Sequence, residues 1–310
     1  MSDATIGYLG PPGSFAHQAV LTRPDFGEPE PMASVPQALA AVRAGSIAAA
    51  LVPFENSIEG GVAATLDGLG DLSRPPLQIR GEVLLPVHFV LAVRAGTTAD
   101  QVRTVATHPH AEAQCRGWLA RELPGAGVVL TASTSTAAQE VRAEVYDAAV
   151  CAPAAAELYG LAVLADGVED STGAVTRFVV VARPGEVTVP TGIDRTTLVL
   201  YERDDHPGSL LAMLTEFAVR GVNLTRLESR PTGGGLGRYC FSLDCDGHIA
   251  DARVGETMTA LARVCSEVRF LGSYPRADGG AAAPARGMSD ADFTAAAEWL
   301  AALRRGEPGR

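Results

Sequence analysis

Short apolar runs alternate with segments of helical period along the first 190 residues. Residues 5–9 read as a strand that opens a Gly10-Pro11-Pro12-Gly13 loop, with Ser14 as N-cap of the helix behind it. Residues 35–43 read as a helix ended by Gly45, and 47–52 as a buried strand. Residues 83–93 are one long apolar stretch, read as a strand. Shorter strands are predicted at 102–107, 128–131 and 148–151, with helices at about 111–122, 135–143 and 152–159. Residues 175–182 give the last strand of this part. The alternation predicts an α/β architecture with mostly parallel strands. Ligands of such sheets sit where strand ends open into helices, which marks the segments after Leu9, Val52 and Val105.

Residues 183–193 read as a linker, and the pattern beyond it changes to β-α-β-β-α-β. A strand at 195–201 leads to a helix at 209–219 ending at Gly221. Strands at 223–230 and 238–244 flank a Gly233-Gly234-Gly235 turn, followed by a helix at 250–265 and a strand at 268–274. This is the ferredoxin-like order. From Pro275 the chain turns Ala/Gly/Pro-rich and ends in a helix at 289–303, with Phe293, Ala297, Leu300 and Leu303 at helical spacing. That face suits a dock on its own chain or on a partner equally.

Bulk properties narrow the class. At 310 residues two or three domains are expected, and 47% hydrophobic with 20% charged residues suits a globular core. A net charge of −11 speaks against a nucleic-acid or membrane-surface partner. No apolar run is long enough to span a bilayer, and Met1-Ser2-Asp3 leads into a strand rather than a signal peptide. Five cysteines without a CxxC predict reduced, buried thiols in a cytoplasmic setting and no metal site.

Several polar clusters sit at the marked junctions. The Gly10–Phe15 loop can hold a carboxylate on its backbone N–H groups, or be a plain tight turn. Pro53-Phe54-Glu55-Asn56-Ser57-Ile58-Glu59-Gly60-Gly61 packs Glu, Asn and Ser at a strand end, as a ligand site or as a helix start capped by Asn56 or Ser57. His108 and His110 lack an evident third ligand, so Pro109 opening a helix is the simpler reading, with Gln114 a turn inside it. Thr134-Ser135-Thr136 reads as a cap. Arg177 lies between apolar residues of a buried strand and needs an anion, either an internal carboxylate or a substrate carboxylate held bidentately. In the second part, the helix start at Pro207-Gly208-Ser209-Leu210 facing Asn223-Leu224 suits either a zwitterionic amino acid or a purely structural βαβ unit.

Taken together and in order, Gly7–Phe15, Val52–Gly60, Thr176-Arg177-Phe178, Pro207–Leu210 and Glu228-Ser229-Arg230-Pro231 resemble the prephenate dehydratases over about residues 4–275. The resemblance implies a two-lobed α/β catalytic domain, like a type II periplasmic binding protein, over 1–187, with lobes at about 1–82 plus 178–187 and 83–177. It further implies a ferredoxin-like βαββαβ ACT domain over 194–275, leaving 276–310 as linker and C-terminal helix. It places the catalytic residues at Thr176, Arg177, Phe178, Glu55 and Asn56, and substrate contacts at Gly13, Ser14, Ser57, Thr107 and Gln114. The phenylalanine site falls on Pro207, Gly208, Ser209, Leu210, Asn223, Leu224, Glu228, Ser229, Arg230 and Pro231; Ser209 departs from the family's alanine. The implied activity is decarboxylating dehydration of prephenate to phenylpyruvate without metal or cofactor, in a homodimer or a homotetramer built as a dimer of dimers. Arg177 is the expected carboxylate anchor, and Thr176 the partner of the departing hydroxyl, with Glu55 the competing acid. Arogenate dehydratase and a non-catalytic amino-acid sensor are the alternatives; a helical mutase domain ahead of residue 4 is not expected.

Overall fold

The computed structural model describes residues 5–204, 206–232, 238–280 and 286–307. In chain order the first elements are β1 (Thr5–Leu9), α1 (Phe15–Leu21), β2 (Glu28–Met32), α2 (Val35–Ala44), β3 (Ala49–Asn56), β4 (Gly60–Gly61) and α3 (Ala63–Gly70). There follow β5 (Gln78–Pro86), β6 (Val90–Val93), β7 (Thr104–Thr107), α4 (Pro109–Glu122), β8 (Gly127–Leu130), α5 (Thr134–Arg142), β9 (Ala148–Cys151), α6 (Pro153–Leu158), β10 (Ala162–Asp166) and β11 (Val175–Ala182). The last elements are β12 (Asp194–Tyr201), α7 (Ser209–Ala218), β13 (Leu224–Pro231), β14 (Tyr239–Asp246), α8 (Ala252–Val264), β15 (Glu267–Pro275) and α9 (Asp290–Arg304). The Gly233-Gly234-Gly235 turn lies outside the described residues.

The chain divides into two units, one formed by residues up to Thr65 with Val83–Val181, the other by Leu66–Glu82 with the residues from Ala182 onward. The first unit is a two-lobed α/β structure of the periplasmic-binding-protein kind. One lobe's sheet runs β2-β1-β3-β11-β5, with β4 hairpinned onto β3; the other's runs β10-β6-β9-β7-β8. α1 and α2 start where sequence placed them: Ser14 and Ser34 accept N–H bonds from His17 and Gln37, and Gly45 at φ 78° closes α2.

Three expectations need correction. The 83–93 stretch is two strands, because β5 and β6 belong to different sheets. Its apolar character continues through Val87 and Phe89, both buried where the chain crosses between lobes, so hydropathy shows no break. The strands are also less uniformly parallel than expected: β1 pairs parallel with β2 and β3, but β6 runs antiparallel to both β9 and β10. Finally, β3 begins at Ala49 and runs on to Asn56, into the polar residues that read as lying at its end.

The second lobe explains its own sequence. Phe89, Leu91 and Val93 point into a core shared with Val105, Cys115 and Leu119, while Val90 and Ala92 enter a core with Ala137, Val141 and Ala155. With α4 on one face and α5 and α6 on the other, a strand buried on both faces reads as a continuous apolar run.

The second unit is ferredoxin-like, a four-stranded antiparallel sheet ordered β13-β14-β12-β15. Leu198, Leu200, Phe241 and Leu243 pack beneath Met213 and Phe217 of α7 and Val254 and Leu261 of α8. Two other residues of β12 meet polar neighbours: Thr197 Oγ1 lies 2.8 Å from Asp244 Oδ1, and Arg195 Nη1 donates to the buried Glu82 at 2.7 Å. Ser289 caps α9 in a box with Asp292. The helix docks by its first turn, where Asp290 accepts from the Arg253 N–H, while Trp299, Leu300 and Leu303 remain exposed.

Candidate active site

The polar end of β3 lies beside β11, so two residue pairs form across adjacent strands. Arg177 is 5% exposed. Its Nη2 and Nε approach the same Glu55 oxygen at 2.9 and 3.2 Å, and its guanidinium carbon lies 4.7 Å over the Phe54 ring. Of the two partners that sequence left open, the internal carboxylate is therefore present. A buried guanidinium needs such compensation, since desolvation alone would be costly.

Asn56 holds the second pair. Its Oδ1 accepts the N–H groups of Ile58 and Glu59 at 2.9 and 3.2 Å, which fixes the amide orientation. Its Nδ2 then donates to Thr176 Oγ1 at 3.0 Å. Because Thr176 accepts here, its own O–H proton remains to be given elsewhere. The helix start considered for Asn56–Gly61 is not formed. Asn56 instead closes a turn, and Glu55 and Asn56 pair with Gly61 and Gly60 as a hairpin. Gly60, at φ +83°, takes a conformation that favours glycine.

Ser57 clasps β11 through its backbone and side chain: its N–H donates to the Val175 carbonyl at 2.9 Å, and Val175 N–H donates to its hydroxyl at 3.0 Å. Phe178 is buried in the core at 2% exposure.

The loop before α1 also departs from expectation. Its N–H groups do not point into solvent: Gly13 donates to His17 Nδ1 at 3.1 Å and Ser14 to the Pro11 carbonyl at 3.2 Å. Burial lowers the His17 pKa, consistent with an accepting Nδ1. The Ser14 hydroxyl is also taken, donating to the Leu9 carbonyl at 3.0 Å. Gly13 sits at φ +82°, and a side-chain carbon there would meet Ser135 Oγ at 2.8 Å. That hydroxyl donates to the Pro12 carbonyl, so α5 abuts the loop. The cap of α5 is Ser133, one residue ahead of the hydroxyl cluster taken for it.

From the other lobe, Thr107 is fully buried and its hydroxyl donates to the Val150 carbonyl at 2.9 Å, joining β7 to β9. His108 is the N-cap of α4, with Pro109 behind it as sequence predicted. Burial, followed by the neighbouring His110, lowers the His108 pKa. Gln114 reaches back to the hairpin and donates through Nε2 to Glu59 Oε1 at 2.9 Å; the other Glu59 oxygen pairs with His110. Glu59 was visible in the motif but had no assigned partner, because its partners lie some fifty residues away. Among the described residues no group of three or more His, Cys, Asp or Glu is placed to hold a metal.

The second unit holds the amino-acid-site candidates. Gly208, at φ +94°, is the N-cap of α7, preceded by Pro207 and followed by Ser209 and Leu210. The Ser209 hydroxyl donates to Glu202 at 2.6 Å. Asn223 donates to Asp246 at 2.9 Å, which leaves its oxygen as the accepting group; Leu224 follows at the start of β13. A groove of about 560 Å³ opens there, walled by Leu214, Phe217, Val222 and Leu224. On β13, Arg230 grips Asp67 with two bonds at 2.9 and 2.8 Å and lies 3.9 Å from Glu228, with exposed Ser229 between them and Pro231 closing the strand.

The family model for prephenate dehydratase matches residues 6–186. The chain is 48% identical over 304 residues to a prephenate dehydratase of Amycolatopsis methanolica, covering 97% of this chain and 98% of that protein. It superposes with a TM-score of 0.91 on the prephenate dehydratase of Arthrobacter aurescens solved in complex with L-Phe, at 45% identity, covering 97% of this chain and 100% of that one. A quorum-quenching acylase, GqqA, is similar at 31% identity and TM-score 0.77, covering 88% of this chain and 98% of that one.

Proposed function

The chain belongs to the prephenate dehydratase family, and from that premise we propose how its residues convert prephenate to phenylpyruvate and how phenylalanine restrains them. In the reaction the ring carboxylate leaves as CO₂ and its bonding pair enters the ring. The pair of the ring C–O bond departs with the hydroxyl, which takes up a proton and leaves as water. Aromatisation drives both cleavages, so the protein's work is orientation and charge placement.

The observation that carries this reading is the Asn56–Thr176 hydrogen bond at 3.0 Å, in which Thr176 accepts. A threonine hydroxyl so held donates a hydrogen bond to the departing hydroxyl oxygen, and the proton that completes the water comes from solvent. Its contribution is a placed hydrogen bond rather than strong acidity. Arg177 supplies the positive charge against which a substrate carboxylate docks, and Glu55 holds its guanidinium in place from one side. Glu55 is an acceptor in that pair, which favours Thr176 over Glu55 as the hydroxyl's partner. The same hydrogen bond speaks against acyl transfer by Thr176: it meets an amide donor, where a nucleophile needs a base to take its proton.

We assign catalysis to residues 1–187 and regulation to 194–275. Phenylalanine is bound by the Pro207–Leu210 helix start, with Asn223, Leu224 and the 228–231 strand end, in a homodimer or homotetramer. Bound there, it shifts the population toward a less active arrangement. The five cysteines are all buried and unpaired, which suits the cytoplasm. No helix among the described residues is long and apolar enough to cross a membrane.

Thr176→Ala tests the reading. Turnover should fall by about 10²–10³-fold with prephenate binding little changed. An unchanged kcat would remove Thr176 from the mechanism.

A further inference from the structure

We propose that Glu59 is a positioning residue: it orients the Gln114 amide so that Gln114 Oε1 receives the substrate's ring hydroxyl and then the departing water. This rests on the reading above and on the resemblance, which places Gln114 among the substrate contacts; it adds the residue that orients that amide.

The argument starts from donors and acceptors. Gln114 Nε2 lies 2.9 Å from Glu59 Oε1, and the other Glu59 oxygen pairs with His110 Nδ1. An ionised carboxylate only accepts, so the Gln114 NH₂ must face it and the amide oxygen must face away. That oxygen is buried and has no hydrogen-bond partner in the structure. A buried acceptor left unpaired is unfavourable, and a ligand donor relieves it.

Prephenate carries two carboxylates, one ketone and one hydroxyl. The carboxylates and the ketone accept; the hydroxyl alone donates. Gln114 Oε1 therefore discriminates among the polar groups of the substrate and selects the hydroxyl. The choice persists through the reaction, since the water that leaves still has an O–H to donate. Thr176 donates its hydrogen bond to the same oxygen.

One side chain links both partners. Asn56 donates to Thr176 through Nδ2 and accepts the Glu59 N–H through Oδ1 at 3.2 Å. The turn that orients Thr176 thus also places Glu59, which in turn sets Gln114.

The test compares wild type, Glu59→Ala, Glu59→Gln, Gln114→Ala and the Glu59→Ala/Gln114→Ala double variant. Phenylpyruvate formation from prephenate and product inhibition by phenylpyruvate are measured for each. Glu59→Ala should lower kcat about 10–100-fold. Glu59→Gln should recover most of that loss, because its carbonyl still accepts from Gln114. The double variant should be no slower than Gln114→Ala. Phenylpyruvate has lost the ring hydroxyl, so its inhibition constant should be unchanged throughout, which a merely structural defect would not spare. Wild-type turnover with an unaffected Glu59→Ala overturns the proposal, as do multiplying losses in the double variant or weakened product inhibition. If Glu59→Ala does not fold, Glu59→Gln and Gln114→Ala decide on the same product-inhibition criterion. Wild type that forms no phenylpyruvate would instead overturn the underlying dehydratase reading, and this proposal with it.

Discussion

Replacing Asn56 by aspartate changes the direction of one hydrogen bond while preserving the turn around it. The carboxylate still accepts from the Ile58 and Glu59 N–H groups, now 2.9 and 3.2 Å from Asn56 Oδ1, so the hairpin should fold. The group facing Thr176, now an amide donor at 3.0 Å, becomes an acceptor. The threonine must turn its proton toward the new carboxylate, in a charge-assisted bond worth about 1.5–3 kcal/mol. That proton is then withheld from the departing hydroxyl. Losing one placed donor in a transition state costs about 10²–10³ in rate, or about 2.7–4 kcal/mol. The added negative charge also repels each substrate carboxylate that lies roughly 7 Å away by about 2 kcal/mol at an effective dielectric constant near 20, which raises KM. The readout is therefore kcat, from phenylpyruvate formation at saturating prephenate, beside a thermal melt. The expected result is a kcat lower by about 10²–10³-fold with little change in Tm. A kcat within about threefold of wild type, well short of that loss, would refute the claim that Thr176 must accept from residue 56 to donate to substrate.

Other expectations follow from the same geometry. Arg177→Lys removes a fork that places two nitrogens on one Glu55 oxygen at 5% exposure, so kcat/KM should drop at least about 100-fold; near-wild-type efficiency would contradict a guanidinium anchor. Burial pushes the Cys115 and Cys151 thiols up to about 12, above an ordinary value near 9. Their folded-state pKa is raised, so the stability they contribute is complete below pH about 9 and is lost as pH rises toward about 12. Urea midpoints should accordingly fall across that range, and alkylation at pH 8 should require denaturant; a flat profile or rapid labelling of the native protein would contradict the burial.

Much of the architecture was legible because the signals were local. β1 and β11 keep their predicted limits, and α2 ends at a left-handed glycine as the Gly45 stop signal implies. The βαββαβ order was legible too, from turns and period changes. What escaped depends on pairing at a distance. β2 reads Glu-Pro-Glu-Pro-Met and looks unlike a strand, yet as an edge strand it tolerates proline's missing donor. β3 continues through Glu55 and Asn56 only because Gly60 and Gly61 return to pair with them.

The candidate site divides in the same way. Glu55, Asn56, Thr176 and Arg177 come together as the motifs suggested. The N–H groups of Gly13 and Ser14 looked available only because His17 and the Pro11 carbonyl were not known to take them. The Thr107 hydroxyl donates to a strand carbonyl, a bond set by β9 some forty residues later. Glu59 gained a role only when α4 brought Gln114 and His110 to it.

The most direct test is phenylpyruvate formation from prephenate by the purified protein, with and without L-phenylalanine, with arogenate as the comparison substrate. The account predicts turnover of prephenate that phenylalanine suppresses. A folded protein that forms no phenylpyruvate would contradict it, and turnover indifferent to phenylalanine would contradict the regulatory half alone.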